Sequence, residues 1–121
     1  KTAFLDATVD TTAAAASGAA PSLPSADGVW STVSINDAPG PNAYPIATFT
    51  YLLVNPNLEQ LKGMDKQKAQ DLVHMIYWFV TDGQQYSTKL LYVPLPSEVQ
   101  EIDKKGISEM KFNGQQLWSY P

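Results

Sequence analysis

Few side chains in this sequence could carry chemistry. His74 is the only histidine, cysteine is absent, and all eight cationic residues are lysines, so the chain has no arginine. A structural zinc site needs several Cys or His ligands, and a dry phosphate or carboxylate site commonly relies on the rigid fork of arginine. The sequence therefore predicts no metal site and no cofactor, and His74 is expected to face solvent or pack partly.

The carboxylates Asp65, Asp71 and Asp82 could in principle pair for acid–base catalysis. Asp65 and Asp82 stand where helix termini are predicted, and no G-x-S-x-G nucleophile elbow is present. Ser17-Gly18 is similar to an anion-binding turn, but it falls at the end of a predicted helix, where the helix dipole disfavours anions. We therefore predict no catalytic residue and no enzyme activity.

Two further site types can be assessed from residue types and charge. Tyr77, Trp78 and Phe79 could stack on bases or sugars, but their helical spacing favours packing in a core or between domains. The net charge is −4 and the lysines are scattered, whereas a nucleic-acid surface needs clustered cations. No partnership with nucleic acid is expected.

The first third of the chain predicts one helix and a stiff connection. Ala13 to Ala16 favour a short helix over residues 8–17, capped by Thr8 or Asp10 and followed by an irregular connector. A disordered Ala/Pro/Ser linker is the alternative interpretation of this region. Residues 29–35 alternate loosely, which predicts a strand, and the three prolines in 39–45 predict a stiff crossing segment.

The remainder predicts one clear strand and several helices. Residues 46–54 are apolar on both faces at their end, as in an interior strand covered by helices. A helix is expected over 65–82, capped by Asp65, closed by Gly83 in the left-handed conformation and followed by a helical piece over 84–91. Ser97 opens an S-x-x-Q capping box and hence a further helix. The buried side of that helix is predicted to carry Val99, Ile102, Ile107 and Met110.

One or two strands cannot form a stable sheet without partners. Either the fold is a small helical cluster with a hairpin, or the chain completes a sheet whose other strands lie elsewhere. We favour the second. No apolar run of 18 residues exists, so no transmembrane helix is predicted. Any export signal is expected to be removed or to lie upstream.

Two stretches together resemble the C-terminal part of the PstS family, the phosphate-binding proteins of the high-affinity phosphate ABC transporter. They are "NDAPGPNAYPIATFTYLLV" (36–54) and "WFVTDGQQYSTKLLYVPLP" (78–96). The opening "KTAFLDATVDTTAAAASGA" is similar to the helix that precedes this region in the family. The resemblance covers nearly the entire chain.

The resemblance implies an α/β fold, the C-terminal segment of a type II periplasmic-binding-protein architecture with two lobes. Residues 1–45 would form the end of the second lobe and the crossing segment. Residues 46–121 would return to the first lobe as a strand that enters a mixed sheet, followed by helices packed on it. The hinge or crossing positions would be Ala43, Tyr44, Pro45 and Ile46.

In the family, an Arg-x-x-x-Ser-Gly-Thr motif supplies much of the phosphate site. Here Ala13 stands at the arginine position before Ser17-Gly18-Ala19, so no ligand-binding residue is assigned to this segment. The resemblance implies that inorganic phosphate is bound by upstream sequence and that a complementary chain or N-terminal portion exists. It also implies an ABC transporter permease as partner and a periplasmic or extracellular location, either free or tethered to the membrane. The chain would be a fragment, half of a split protein or a standalone relative. The alternative is a cell-envelope structural or interaction subunit that keeps the fold but not the ligand site.

Overall fold

The computed structural model describes residues 4–118. Three α-helices are present, α1 (Val9–Ala19), α2 (Lys66–Val80) and α3 (Ser97–Ser108), with short 3₁₀ turns at Ala20–Ser22, Leu58–Gln60, Asp82–Tyr86 and Thr88–Leu90. Strands β1 (Lys111–Phe112) and β2 (Gln115–Gln116) form a two-stranded antiparallel sheet. The chain is thus mixed, mainly helical with a small sheet, which is compatible with a piece of an α/β fold.

Helix α1 confirms the predicted helix and its cap. The Thr8 hydroxyl accepts a hydrogen bond from the Thr11 backbone N–H, and the Thr11 hydroxyl reciprocates to the Thr8 N–H, which is a capping box built from two threonines. The helix continues to Ala19, two residues beyond the predicted end. Gly18 is helical, and a Cβ there would collide with the Pro39 carbonyl. Glycine is therefore required for close packing of the crossing segment on α1.

Helix α2 also begins as predicted, with the Asp65 carboxylate accepting from the Lys68 N–H at 2.9 Å. The predicted closure at Gly83 is wrong, because the residues with positive φ do not include Gly83, which lies inside the 3₁₀ turn Asp82–Tyr86. A Cβ on Gly83 would stand 2.8 Å from the Trp78 carbonyl. The glycine is needed for close approach to Trp78 rather than for a left-handed turn.

Helix α3 begins where it was expected, but not by the expected cap. Pro96 is the N-cap residue and no side chain caps the helix. Gln100 instead donates through its Nε2 to the Leu95 carbonyl at 2.8 Å. Val99, Ile107 and Met110 are buried as predicted, whereas Ile102 is half-buried.

Neither of the two predicted strands is present as a strand in the structure. Residues 29–35 form turns rather than a strand, one of them closed by Val33 N–H donating to the Trp30 carbonyl at 3.0 Å. Residues 46–54 have no ladder partner in the described part of the chain, so they are not assigned as a strand. A strand is defined by its hydrogen bonds to a neighbour, and a sequence cannot show whether that neighbour is present.

The hairpin β1–β2 was not predicted. Its register pairs Lys111 with Gln116 and Phe112 with Gln115. Asn113 and Gly114 connect the strands with φ of 50° and 74°. Asn-Gly is the favoured pair for a two-residue turn with two positive φ values, so this dipeptide was the signal that could have revealed the hairpin.

Two clusters of buried apolar side chains stabilise the chain. The first joins α1 to the crossing segment and is built mainly from alanines: Ala15, Ala16, Ala19, Ile35, Ala38, Ala43, Ala47. The second lies between α2, α3 and the hairpin and uses larger side chains: Leu58, Ala69, Val73, Ile76, Ile107, Met110. Among the helices of residues 4–118, none is long and apolar enough to cross a membrane.

Candidate functional site

Two hydrogen bonds join the beginning of the crossing segment to its end. Asp37 N–H donates to the Pro45 carbonyl at 2.9 Å, and Ala47 N–H donates to the Asn36 side chain at 3.2 Å. These two bonds close the loop on itself. Left-handed φ values at Asp37 (52°) and Gly40 (122°) turn the chain within it.

The four predicted hinge residues lie in different environments. Ala43 is buried against α1, and the Tyr44 N–H donates to the Thr11 carbonyl at 2.9 Å. Pro45 is half-buried, whereas Ile46 is 74% exposed. The structure therefore brings Ala43 and Tyr44 onto α1 and leaves Ile46 outside. Whether these positions act as a hinge stays a prediction.

Two of the candidate catalytic carboxylates, Asp65 and Asp71, make local hydrogen bonds on α2 instead of pairing with each other. Asp65 caps α2, and the hydrogen bond from the Lys68 backbone, followed by one from its side chain, lowers the pKa of Asp65. Asp71 accepts from Gln67 Nε2 at 3.0 Å on the exposed face of the same helix. Among the described residues, no three His, Cys, Asp or Glu side chains are grouped so as to hold a metal ion.

His74 contributes to an aromatic contact. Its ring packs edge-on against Trp118 with centroids 4.5 Å apart, and Tyr77 stacks on the same Trp118 at 5.0 Å. His74 is exposed and Tyr77 is half-buried, so the prediction of a partly packed, solvent-facing histidine is confirmed. The aromatic residues Trp118 and Tyr120 predict a tail that packs against the body of the chain. Trp118 does pack against the second cluster of buried side chains, and Tyr120 lies outside the described residues.

An apolar groove of about 550 Å³ lies on the surface of the described chain. It runs between residues 49–54 on one side and α2 and α3 on the other, and Ile76, Phe79 and Ile107 contribute to its wall. The helical spacing predicts that Phe79 packs in a core or between domains, yet it is 46% exposed because nothing in the described chain covers the groove. The sequence predicted the apolar positions but could not show that they surround an open space.

Asp103 is the ionisable group that the groove perturbs. It lies on α3 among the lining residues, half-buried, and burial raises the pKa of Asp103 to about 6. Removal from water disfavours the charged carboxylate. No sequence pattern pointed to Asp103, because its position over the groove depends on how α3 packs.

The groove is a poor site for an anion. Asp27, Asp103 and Glu109 are among its lining residues, and no lysine is. Carboxylates repel phosphate, and no opposing cation is present in the described lining. The arrangement suits an apolar partner rather than an oxyanion.

Comparison with known proteins finds similarity to a phosphate-binding protein. Over 76 residues, or 62% of this chain, the sequence is 38% identical to the phosphate-binding protein PstS of Methanocaldococcus jannaschii. The matched stretch spans only 19% of that protein's length. No protein-family profile matches the chain, and no solved structure is significantly similar to it. The chain is therefore related to a PstS-type phosphate-binding protein over part of its length.

Proposed function

We propose that this chain is part of an extracytoplasmic phosphate-binding protein that captures inorganic phosphate for uptake by an ABC transporter. The proposal rests on the 38% identity to the PstS protein over 76 residues. The fold is consistent with this proposal, because helices with a small sheet are what the C-terminal part of a two-lobed α/β binding protein would contribute. In this role the chain is not an enzyme.

The phosphate ligands are proposed to come from polypeptide outside residues 1–121. The chain has no arginine, and its large groove carries carboxylates without a lysine in its lining. Ser17-Gly18 ends α1 and packs on Pro39, so its backbone N–H groups are not presented at a helix N-terminus. The chain's own contribution is the crossing segment and the core that positions a lobe.

The two core clusters divide the chain a few residues after the proposed boundary at 45 and 46, because Ala47 is still buried in the first cluster. The first cluster gathers α1 and residues 35–47, and the second gathers residues after 57. In the proposal, residues 1–45 complete one lobe and the crossing, and residues 46–121 belong to the other. Ala43 to Ile46 would be the segment through which the lobes move.

Native mass spectrometry of the protein purified from its source, with and without phosphate, tests the function. We expect an assembly or longer chain that contains this sequence to gain one phosphate. We also expect that protein to have an ABC transporter permease as its partner and to be periplasmic or extracellular. Sulfate serves as the control oxyanion. A species of 13.2 kDa that folds alone and gains no phosphate would contradict the proposal.

An envelope interaction subunit is the second candidate, and one observation favours it. Leu90, Leu91 and Tyr92 are 67%, 96% and 60% exposed in consecutive positions after α2. Exposed apolar patches of this kind mark interaction surfaces. Retained association with an envelope protein in the absence of any phosphate binding would favour this candidate.

A further inference from the structure

The turn Asn113-Gly114 contains the residue pair that spontaneous deamidation favours. Asparagine is a thermolabile residue, because the backbone nitrogen of the next residue can attack its side-chain carbonyl. Glycine hinders that attack least, since it has no Cβ. Asn113 is the only asparagine in the sequence that precedes a glycine.

Both reacting groups are accessible in the structure. Asn113 and Gly114 are exposed between β1 and β2. Among the described residues, neither the Asn113 side chain nor the Gly114 N–H has a hydrogen-bond partner. A Cβ placed on Gly114 would meet no atom within 4 Å. No contact of the described chain therefore holds the carbonyl or the nitrogen out of the reaction.

Few hydrogen bonds hold the hairpin in place. Its strands are two residues long, and an isolated two-stranded hairpin is only marginally stable. The Asn113 N–H donates to the Glu59 carboxylate at 3.2 Å, and the Lys111 N–H donates to the Pro56 carbonyl at 2.8 Å. Local opening of so small an element gives the turn the backbone freedom that ring closure needs.

Asn42 provides a comparison within the same chain. It is also exposed, but the next residue is Ala43, which is buried. The Ala43 N–H donates to the Gly40 carbonyl at 3.4 Å. The nitrogen that would attack Asn42 is thus both hindered by a methyl group and hydrogen-bonded.

We propose that Asn113 is a site of spontaneous deamidation and that the isoaspartate formed there releases the hairpin from residues 56–59. The Gly114 nitrogen bonds to Asn113 Cγ, the Cγ–Nδ2 bond breaks, and ammonia leaves with the proton that the nitrogen loses. Water then opens the succinimide ring. Attack of water at Cγ gives aspartate, and attack at the backbone carbonyl carbon gives isoaspartate.

The isoaspartate product alters the turn itself. Its main chain runs through Cγ, so the turn gains an additional methylene. The pairing of Phe112 with Gln115 requires a two-residue turn of fixed geometry. The lengthened turn therefore loses this register, and with it the hydrogen bond from the Leu117 N–H to the Met110 carbonyl at 3.2 Å.

Peptide mapping by mass spectrometry tests the site on the full 121-residue chain, incubated at pH 7.5 and sampled over time. We expect conversion of Asn113 at least tenfold faster than conversion of Asn42, with the isoaspartyl peptide as the larger product. Conversion of Asn113 that is no faster than that of Asn42 would overturn the proposal. Phosphate takes no part, so the outcome is independent of the proposed function.

Amide exchange at Leu117, followed by NMR, tests the release of the hairpin. The isoaspartyl chain should exchange at least tenfold faster than the unmodified chain. Asn113→Asp carries the same charge on a normal backbone, and Asn113→Gly removes the amide. Both variants keep a residue pair that suits the turn, so both should exchange about as slowly as the unmodified chain.

Circular dichroism confirms that the two variants fold. Unchanged exchange in the isoaspartyl chain would overturn the release of the hairpin. Equally fast exchange in Asn113→Asp would assign the effect to the charge and would overturn the role of the lengthened backbone.

Discussion

At the scale of single residues, the structure assigns roles that differ from those the residue types first suggest. His74 packs on Trp118 and Asp65 caps a helix, so side chains with chemical potential serve packing. No sequence pattern distinguishes Asp103 from the other aspartates, yet burial raises the pKa of Asp103 to about 6. The environment of a side chain, rather than its residue type, therefore decides which carboxyl group has a shifted pKa.

Asp103→Asn should stabilise the chain at neutral pH. The folded state holds the Asp103 proton more tightly than the unfolded state, whose pKa is near 3.8, so stability falls as pH rises from about 4 to above 6. Removing the charge should add about 1–2 kcal/mol to the free energy of unfolding at pH 7.5, since each unit of pKa corresponds to about 1.4 kcal/mol and solvent access reduces the effect. Urea unfolding at pH 4 and pH 7.5 measures this.

The control for that experiment is Asp71→Asn, on the exposed face of α2. It should change stability by less than about 0.5 kcal/mol at either pH. A gain for Asp103→Asn that is the same at both pH values would contradict the argument, because the carboxyl is already neutral at the lower pH.

At the scale of elements, caps and close approaches fix the helices. Thr8→Ala removes the hydroxyl that accepts from Thr11 N–H and should cost about 1 kcal/mol, whereas Thr8→Asn should cost little. Chemical denaturation followed by helical circular dichroism checks both. A loss with asparagine equal to that with alanine would show that the cap is not the cause.

Gly106 sets the distance between α3 and the connector that follows α1. A Cβ at this position would lie far inside contact distance of the Ala26 Cβ. Gly106→Ala should therefore destabilise the chain by about 1–3 kcal/mol, although in an open helix the same change stabilises by up to about 1 kcal/mol.

The double variant Ala26→Gly/Gly106→Ala removes the collision, because the next atom of Ala26 lies 3.7 Å away. We expect thermal unfolding to return to within a few degrees of the unmodified chain. If the double variant is as unstable as the single one, the close approach is not what requires glycine.

At the scale of the whole molecule, the two clusters differ in how much apolar surface each residue removes from water. Six of the seven members of the first cluster are alanines, whereas the second contains Leu58, Val73 and Ile76. One buried methyl contributes about 0.8 kcal/mol and a larger aliphatic side chain about 1.5–3. The second cluster is therefore expected to be the more stable.

Amide exchange tests this difference. Amides of α2 near Val73 should exchange at least tenfold more slowly than those of α1 near Ala15, because local opening of the alanine cluster costs less. Equal protection throughout would mean that the chain unfolds as one cooperative unit and that the clusters are not separate in energy.

The helices and the residues at which they begin could be predicted from local sequence patterns. Apolar spacing and caps at Thr8 and Asp65 act within a few residues, so α1 and α2 could be predicted nearly to the residue. The lack of arginine and cysteine likewise excluded whole classes of site. The motifs in 36–54 and 78–96 predicted the relatedness that the partial match to a PstS protein supports.

Other features depend on packing between parts of the chain that are distant in sequence. Gly18, Gly83 and Gly106 are required by close approaches to other residues, and no local pattern reveals these. The lack of a ladder partner for residues 46–54 in the described part of the chain, and the burial of Asp103, depend on how the elements pack around the groove. Hydrogen bonds between strands and the loss of solvation are properties of neighbours distant in sequence, which is why the order of residues alone could not supply them.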